Sequence, residues 1–194
     1  MNFLDLSFYI FILFFCIIYF VVPAKYKYLI VFLGSYFFYL FNDFNLIFVV
    51  GGITLLTYFG GFLINLKKSK ILLTIFVIAN MAILFVYKYL EFILQNIINF
   101  ASFFGINNLC LSGFEFILPI GLSFMIFQSS TYLLDIYRKK ITVENNIIRY
   151  AAFVAFFPTV LSGPIQKSRN LLPQLKNPKD FNYLDAKKGT VLFI

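Results

Sequence analysis

Long apolar runs, separated by short polar or basic clusters, set the pattern of this chain. None alternates at the two-residue period of a half-buried strand, and several are continuous over the roughly 20 residues that a helix needs to cross about 30 Å of hydrocarbon. On that ruler residues 3–22 read as a first span, closed by Pro23, which cannot continue a helical ladder, and by Lys25 and Lys27. Residues 28–41 and 44–66 read as the second and third, joined by the tight acidic turn Asn42-Asp43. Lys67, Lys68 and Lys70 precede a fourth span over residues 71–89. These two basic loops lie two spans apart, as the preference of Lys and Arg for the cytoplasmic side requires.

Further along, Gln95, Asn96, Asn99 and Ser102 recur on one side of residues 92–104 while Ile93, Leu94, Ile97 and Ile98 occupy the other. Too short to span, this segment reads as a helix lying in the outer interface. A fifth span over residues 114–137 ends in Arg138-Lys139-Lys140. The next apolar segment, residues 147–165, has cytoplasmic-type charges on both flanks, with Pro158 in its middle and Ser162-Gly163-Pro164 at its end. A helix that enters, breaks and returns reconciles those charges better than a full crossing, and broken backbone at membrane depth survives only under protein or beside a water-filled cavity. Residues 173–188 read as a polar cytoplasmic loop, and the apolar run starting at Gly189 as the beginning of a further span.

The expected class is therefore all-α: a polytopic membrane protein with about six helical membrane segments, one of them re-entrant, and residues 1–194 forming part of a single transmembrane domain. Composition agrees, since apolar residues make up 61% of the chain and charged residues 12%, against about 25% charged in soluble domains. The net charge of +8 does not point to nucleic acid, because the cations sit in loops between spans and build no basic face with exposed stacking aromatics. No basic residue precedes the first apolar run, so it reads as a retained helix with its N-terminus outside. Cys16 and Cys110 have no metal-ligand spacing, and the chain has no histidine. No metal or cofactor is expected, and chemistry that depends on an imidazole cannot belong to this chain alone.

Gln128 falls mid-span in the fifth helix, where a buried amide either bonds a neighbouring helix or lines a channel. Asp135 and Arg138, three apart on one helical face, read as a local ion pair or as a donor-side charge pair. Asn80 reads as an interhelical hydrogen-bonding residue, and Gly51-Gly52 and Gly60-Gly61 as sites of close helix approach.

Two ordered blocks carry a more specific signal. Leu118-Pro119-Ile120-Gly121-Leu122-Ser123-Phe124, with Phe127-Gln128 and the run Tyr132-Leu133-Leu134-Asp135-Ile136-Tyr137-Arg138, closely resembles the membrane-bound O-acyltransferases. So does Phe156-Phe157-Pro158 followed by Ser162-Gly163-Pro164-Ile165 and Leu172-Pro173-Gln174. Within that family the chain is most similar to the bacterial alginate-type polysaccharide O-acetyltransferases. The resemblance implies an enzyme that passes an acyl group through a central channel to an extracytoplasmic hydroxyl, with Gln128, Ser162, Gly163 and Pro164 as channel candidates. It implies membrane lipid, an acyl donor, a polysaccharide acceptor and accessory acetylation proteins as partners. The family's essential histidine lies downstream of the second block, so no catalytic residue is carried over and the sequence reads as an N-terminal portion, inert by itself. The rival expectation is a small structural or partner-binding membrane protein, or half of a split enzyme that pairs with a separate C-terminal half. A transporter is disfavoured by the lack of intramembrane acidic residues for ion coupling.

Overall fold

The computed structural model describes residues 6–42, 44–103, 121–160, 166–184 and 187–189, all of them in helices or the links between helices, with no strand among them. Helix α1 (Leu6–Val21) stops before Pro23, and a single 3-10 turn (Ala24–Tyr26) leads into α2 (Lys27–Asn42). Then come α3 (Phe44–Lys67) and α4 (Lys70–Phe103). After residues outside the described set, α5 (Leu122–Tyr137) starts from Gly121, whose φ of 73° is left-handed and therefore suits glycine. Three shorter helices follow: α6 (Ile147–Val154), α7 (Phe157–Val160) and α8 (Ser168–Lys176).

The expected boundaries of the first four segments agree with these helices to within a few residues, apart from the end of α4. That helix runs unbroken for 34 residues, which overturns the separate interface helix expected at residues 92–104. Neither Pro nor Gly occurs between residues 70 and 103, and breaking the ladder there would orphan carbonyls that continuation satisfies. The polar side chains fit the longer helix; the amide of Asn96, for example, donates to the carbonyl of Phe92 at 2.7 Å.

Among the described residues, two helical stretches are long and apolar enough to cross a membrane: α3, and residues 70–89 of α4. The expected count of about six spans is not reached on that criterion, because α1, α2 and α5 have 16 described residues each, about 24 Å of helix. The beginning of the fifth expected segment lies outside the described residues.

Helix α3 sits at the centre, against α2, α4, α5 and α6. Its glycine pair makes two close approaches possible. A Cβ on Gly60 would lie 2.8 Å from the ring of Phe76 on α4, and one on Gly61 would lie 2.8 Å from Tyr132 and 2.9 Å from Ile136 on α5. Gly51 and Gly52 face open space instead, so the close approach expected there is not made by any described element. The core runs through Val50, Ile53, Met125, Leu133, Tyr150 and Phe153, all fully buried. The outer faces carry Leu13, Phe14, Phe48, Phe59, Ile71 and Ile78, all more than half exposed. An apolar surface that continuous suits lipid better than water.

Lys27 bonds Asp180, Tyr58 bonds the carbonyl of Asn145, and Asp135 bonds Ser168. These links gather the start of α2, the end of α5, and the starts of α6 and α8 at one end of the bundle. The basic loops that follow α1, α3 and α5 open at that same end.

Candidate functional site

The most function-like feature is the break between α6 and α7. Proline has no N–H to donate, and its ring clashes with the carbonyl four residues back. Four residues before Pro158 is Val154, where α6 ends. Ala155 and Phe156 form the link, and α7 resumes at Phe157 with Pro158 in its first turn, where a missing N–H costs nothing.

In an unbroken helix the N–H of Phe157 would donate to the carbonyl of Phe153. Here each group finds a side chain from another helix. The amide nitrogen of Gln128, on α5, donates to the carbonyl of Phe153 at 2.5 Å, and the hydroxyl of Ser35, on α2, accepts from the N–H of Phe157 at 3.4 Å. Gln128 and Ser35 are fully buried, as is Ala155 in the link. The ring of Phe157 packs edge-on against Phe11 and Phe15 and stacks on Phe38, with centroids 5.0 to 6.0 Å apart. This broken backbone is thus covered by packed protein on the described side. Of the channel candidates, Gln128 is brought to the break; Ser162, Gly163 and Pro164 lie outside the described residues.

Asp135 and Arg138 are not brought together. The carboxylate of Asp135 accepts from the hydroxyl of Ser168 at 2.7 Å and so braces α5 against α8. Arg138 caps α5 through its backbone N–H. The ion pairs among the described residues are Lys27–Asp180 and Arg149–Glu144, so the expected local pair is replaced by a tertiary hydrogen bond to a helix whose position the sequence did not reveal. Ser168 is fully buried, which makes it a brace and not an accessible nucleophile. Asn80 does what was expected of it: its amide nitrogen lies 3.0 Å from the carbonyl of Ile126 and 2.9 Å from the hydroxyls of both Ser129 and Ser130, tying α4 to α5.

Sequence reasoning missed a tyrosine cluster near the basic end. Tyr150 donates to the hydroxyl of Thr57 at 2.7 Å, and its ring lies 4.4 Å from Tyr132 and 5.5 Å from Tyr58. The hydroxyl of Tyr58 donates to the carbonyl of Asn145, and that of Tyr132 accepts from the N–H of Glu144. The available signal was the spacing of Thr54, Thr57, Tyr58 and Gly61, one face of α3 bearing hydroxyls and a small residue. Above the cluster opens a polar cleft of about 540 Å³ lined by Glu144, Asn145, Asn146, Arg149 and Lys176, among others. Arg149 there holds Glu144 at 2.8 Å and lies over the ring of Tyr28. The described residues bind, brace and bury; none of them is placed as a base beside a nucleophile.

Comparison with known proteins gives the family signal its weight. Over 165 residues the chain is 31% identical to a probable alginate O-acetylase of Pseudomonas putida, covering 82% of this chain and 34% of that protein. It is 32% identical over 167 residues to a probable alginate O-acetylase of Pseudomonas syringae pv. tomato, covering 82% of this chain and 32% of the relative. A peptidoglycan O-acetyltransferase of Helicobacter pylori is 27% identical over 194 residues, covering 83% and 35%. No family model matches the chain. No solved structure matches it either. The chain is a homologue of bacterial O-acetylases over four fifths of its own length, and it spans about a third of the length of the curated relatives it matches.

Proposed function

We propose that these 194 residues are the N-terminal scaffold of a membrane O-acetyltransferase that moves an acetyl group across the plasma membrane to a hydroxyl of an extracytoplasmic polysaccharide. The observation that carries this reading is the match along most of the chain to relatives named for alginate and peptidoglycan O-acetylation. The break at Ala155-Phe156 fits it, since non-helical backbone at membrane depth lies either under packed protein or beside a water-filled cavity such as a channel. In this reading the chain is multi-pass, its basic end faces the cytoplasm and its N-terminus lies outside.

Deprotonating an acceptor hydroxyl calls for a general base with a pKa near neutrality, and the chain holds no histidine to serve. The imidazole would come from sequence outside these residues or from a second chain. Helices α2, α5, α6 and α7 would then supply the wall along which donor and acceptor meet, with Gln128 fixing the break, and accessory acetylation proteins would engage the completed enzyme.

The test is expression in an alginate-producing host that lacks its own O-acetylase, with acetyl ester content as the readout. The chain alone should add no acetyl esters. Co-expressed with the remaining two thirds of an alginate O-acetylase, it should restore them. Failure to restore, with both pieces in the membrane, would favour a structural or partner-binding role instead.

A further inference from the structure

Two basic triplets flank the ends of neighbouring helices. Lys67, Lys68 and Lys70 surround the α3–α4 junction, and Arg138, Lys139 and Lys140 close α5. Both helices run toward the same end and touch where Gly61 meets Tyr132 and Ile136. From that contact Lys68 is about 10 Å and Lys139 about 5 Å along the helix axes, so the two loops emerge side by side. All six side chains belong to exposed residues. None forms an ion pair among the described residues, where Asp135 accepts from Ser168 and Glu144 pairs with Arg149.

The backbone adds a second, independent observation. Lys68 and Lys139, with φ of 47° and 55°, are the non-glycine residues with positive φ among the described residues. Lys139 closes α5 in a Schellman arrangement: its N–H donates to the carbonyl of Ile136 and that of Lys140 to the carbonyl of Asp135. Glycine fills that position without strain. A lysine at both sites trades helix-end stability for charge, which is understandable where the ammonium groups meet a negative partner.

Helix α3 is long and apolar enough to cross a membrane, and α4 starts back immediately after the junction, so with both helices in a bilayer the triplets would sit at headgroup depth. We propose that these six cations form a docking surface for the phosphate headgroups of anionic phospholipids. The inference rests on the membrane placement of α3 and α4 but not on acetyl transfer.

The test uses the full chain purified in detergent, with bound lipid counted by native mass spectrometry. Phosphatidylglycerol should be retained at least about fivefold over phosphatidylcholine, a preference that salt weakens. Replacing Lys67, Lys68 and Lys70 by Gln, or Arg138, Lys139 and Lys140 by Gln, should abolish most of it. The pair Lys68→Gly and Lys139→Gly, which suits the left-handed backbone, should lower it about twofold while leaving the fold intact. Equal retention of the two lipids, or a preference unchanged in both triple variants, would overturn the proposal. So would competition by inorganic phosphate at about 10 mM, which would indicate a pocket for a soluble anion, or a preference replaced by capture of an acidic protein. Extraction of the chain from membranes by alkaline carbonate would instead defeat the membrane placement itself, a separate failure.

Discussion

Gln128 and Ser35 take up the two halves of the Phe157–Phe153 backbone hydrogen bond that the α6–α7 break leaves unmade, and their value can be measured one residue at a time. Replacing Gln128 by Leu leaves the buried carbonyl of Phe153 with only a long contact to the N–H of Phe156, at 3.4 Å. The expected loss is about 1–2 kcal/mol, read as a lower unfolding midpoint in detergent. Ser35→Ala should cost less, roughly 0.5–1 kcal/mol, since its bond is long. The glycines give a sharper contrast. Gly61→Ala drives a methyl to within 2.8 Å of Tyr132 and should destabilise by about 1–3 kcal/mol. Gly52→Ala meets nothing within 4 Å and should stabilise by up to about 1 kcal/mol through helix propensity alone. Equal effects at the two glycines would mean that α3 does not pack on α5 as described.

At this scale the sequence was partly legible. A mid-span glutamine or asparagine in an apolar helix needs a partner, so Gln128 and Asn80 stood out, and the interhelical reading of each agrees with the geometry. Which atom would answer was not legible, because the partners lie 25 residues away for Gln128 and 46 to 50 away for Asn80. The tertiary bond of Asp135 to Ser168 was hidden for the same reason, and a local pairing with Arg138 was the default that sequence spacing offers.

Among the elements, α4 and the α6–α7 break are the instructive pair. The polar face of residues 92–104 looked like a separate interface helix, yet amphipathicity describes which side is wet and not where a helix starts. Only a breaker would separate the two, and none is present. Spin labels at Ile75 and Phe100, with Cys16 and Cys110 replaced by Ser, should therefore report about 38 Å, 25 residues of continuous rise. A distance below about 30 Å would restore the bent, interfacial arrangement. At the break, by contrast, the breaker was visible in the sequence and the helix ended where the proline's clash with Val154 requires.

For the whole molecule, hydropathy revealed an all-helical bundle and the charge pattern revealed its basic end, while the number of spans did not follow. Several helices are shorter than a bilayer is thick, and their placement depends on neighbours. Homology extends the picture, because the two motif blocks that first suggested an acyltransferase lie within a chain matched over four fifths of its length to bacterial O-acetylases. The most direct test is a fusion in which residues 1–194 replace the matched third of an alginate O-acetylase, assayed by acetyl esters on the secreted polymer. The account predicts that the fusion acetylates and that Gln128→Leu within it lowers the yield at equal membrane abundance. A stably inserted fusion that adds no acetyl groups would contradict it.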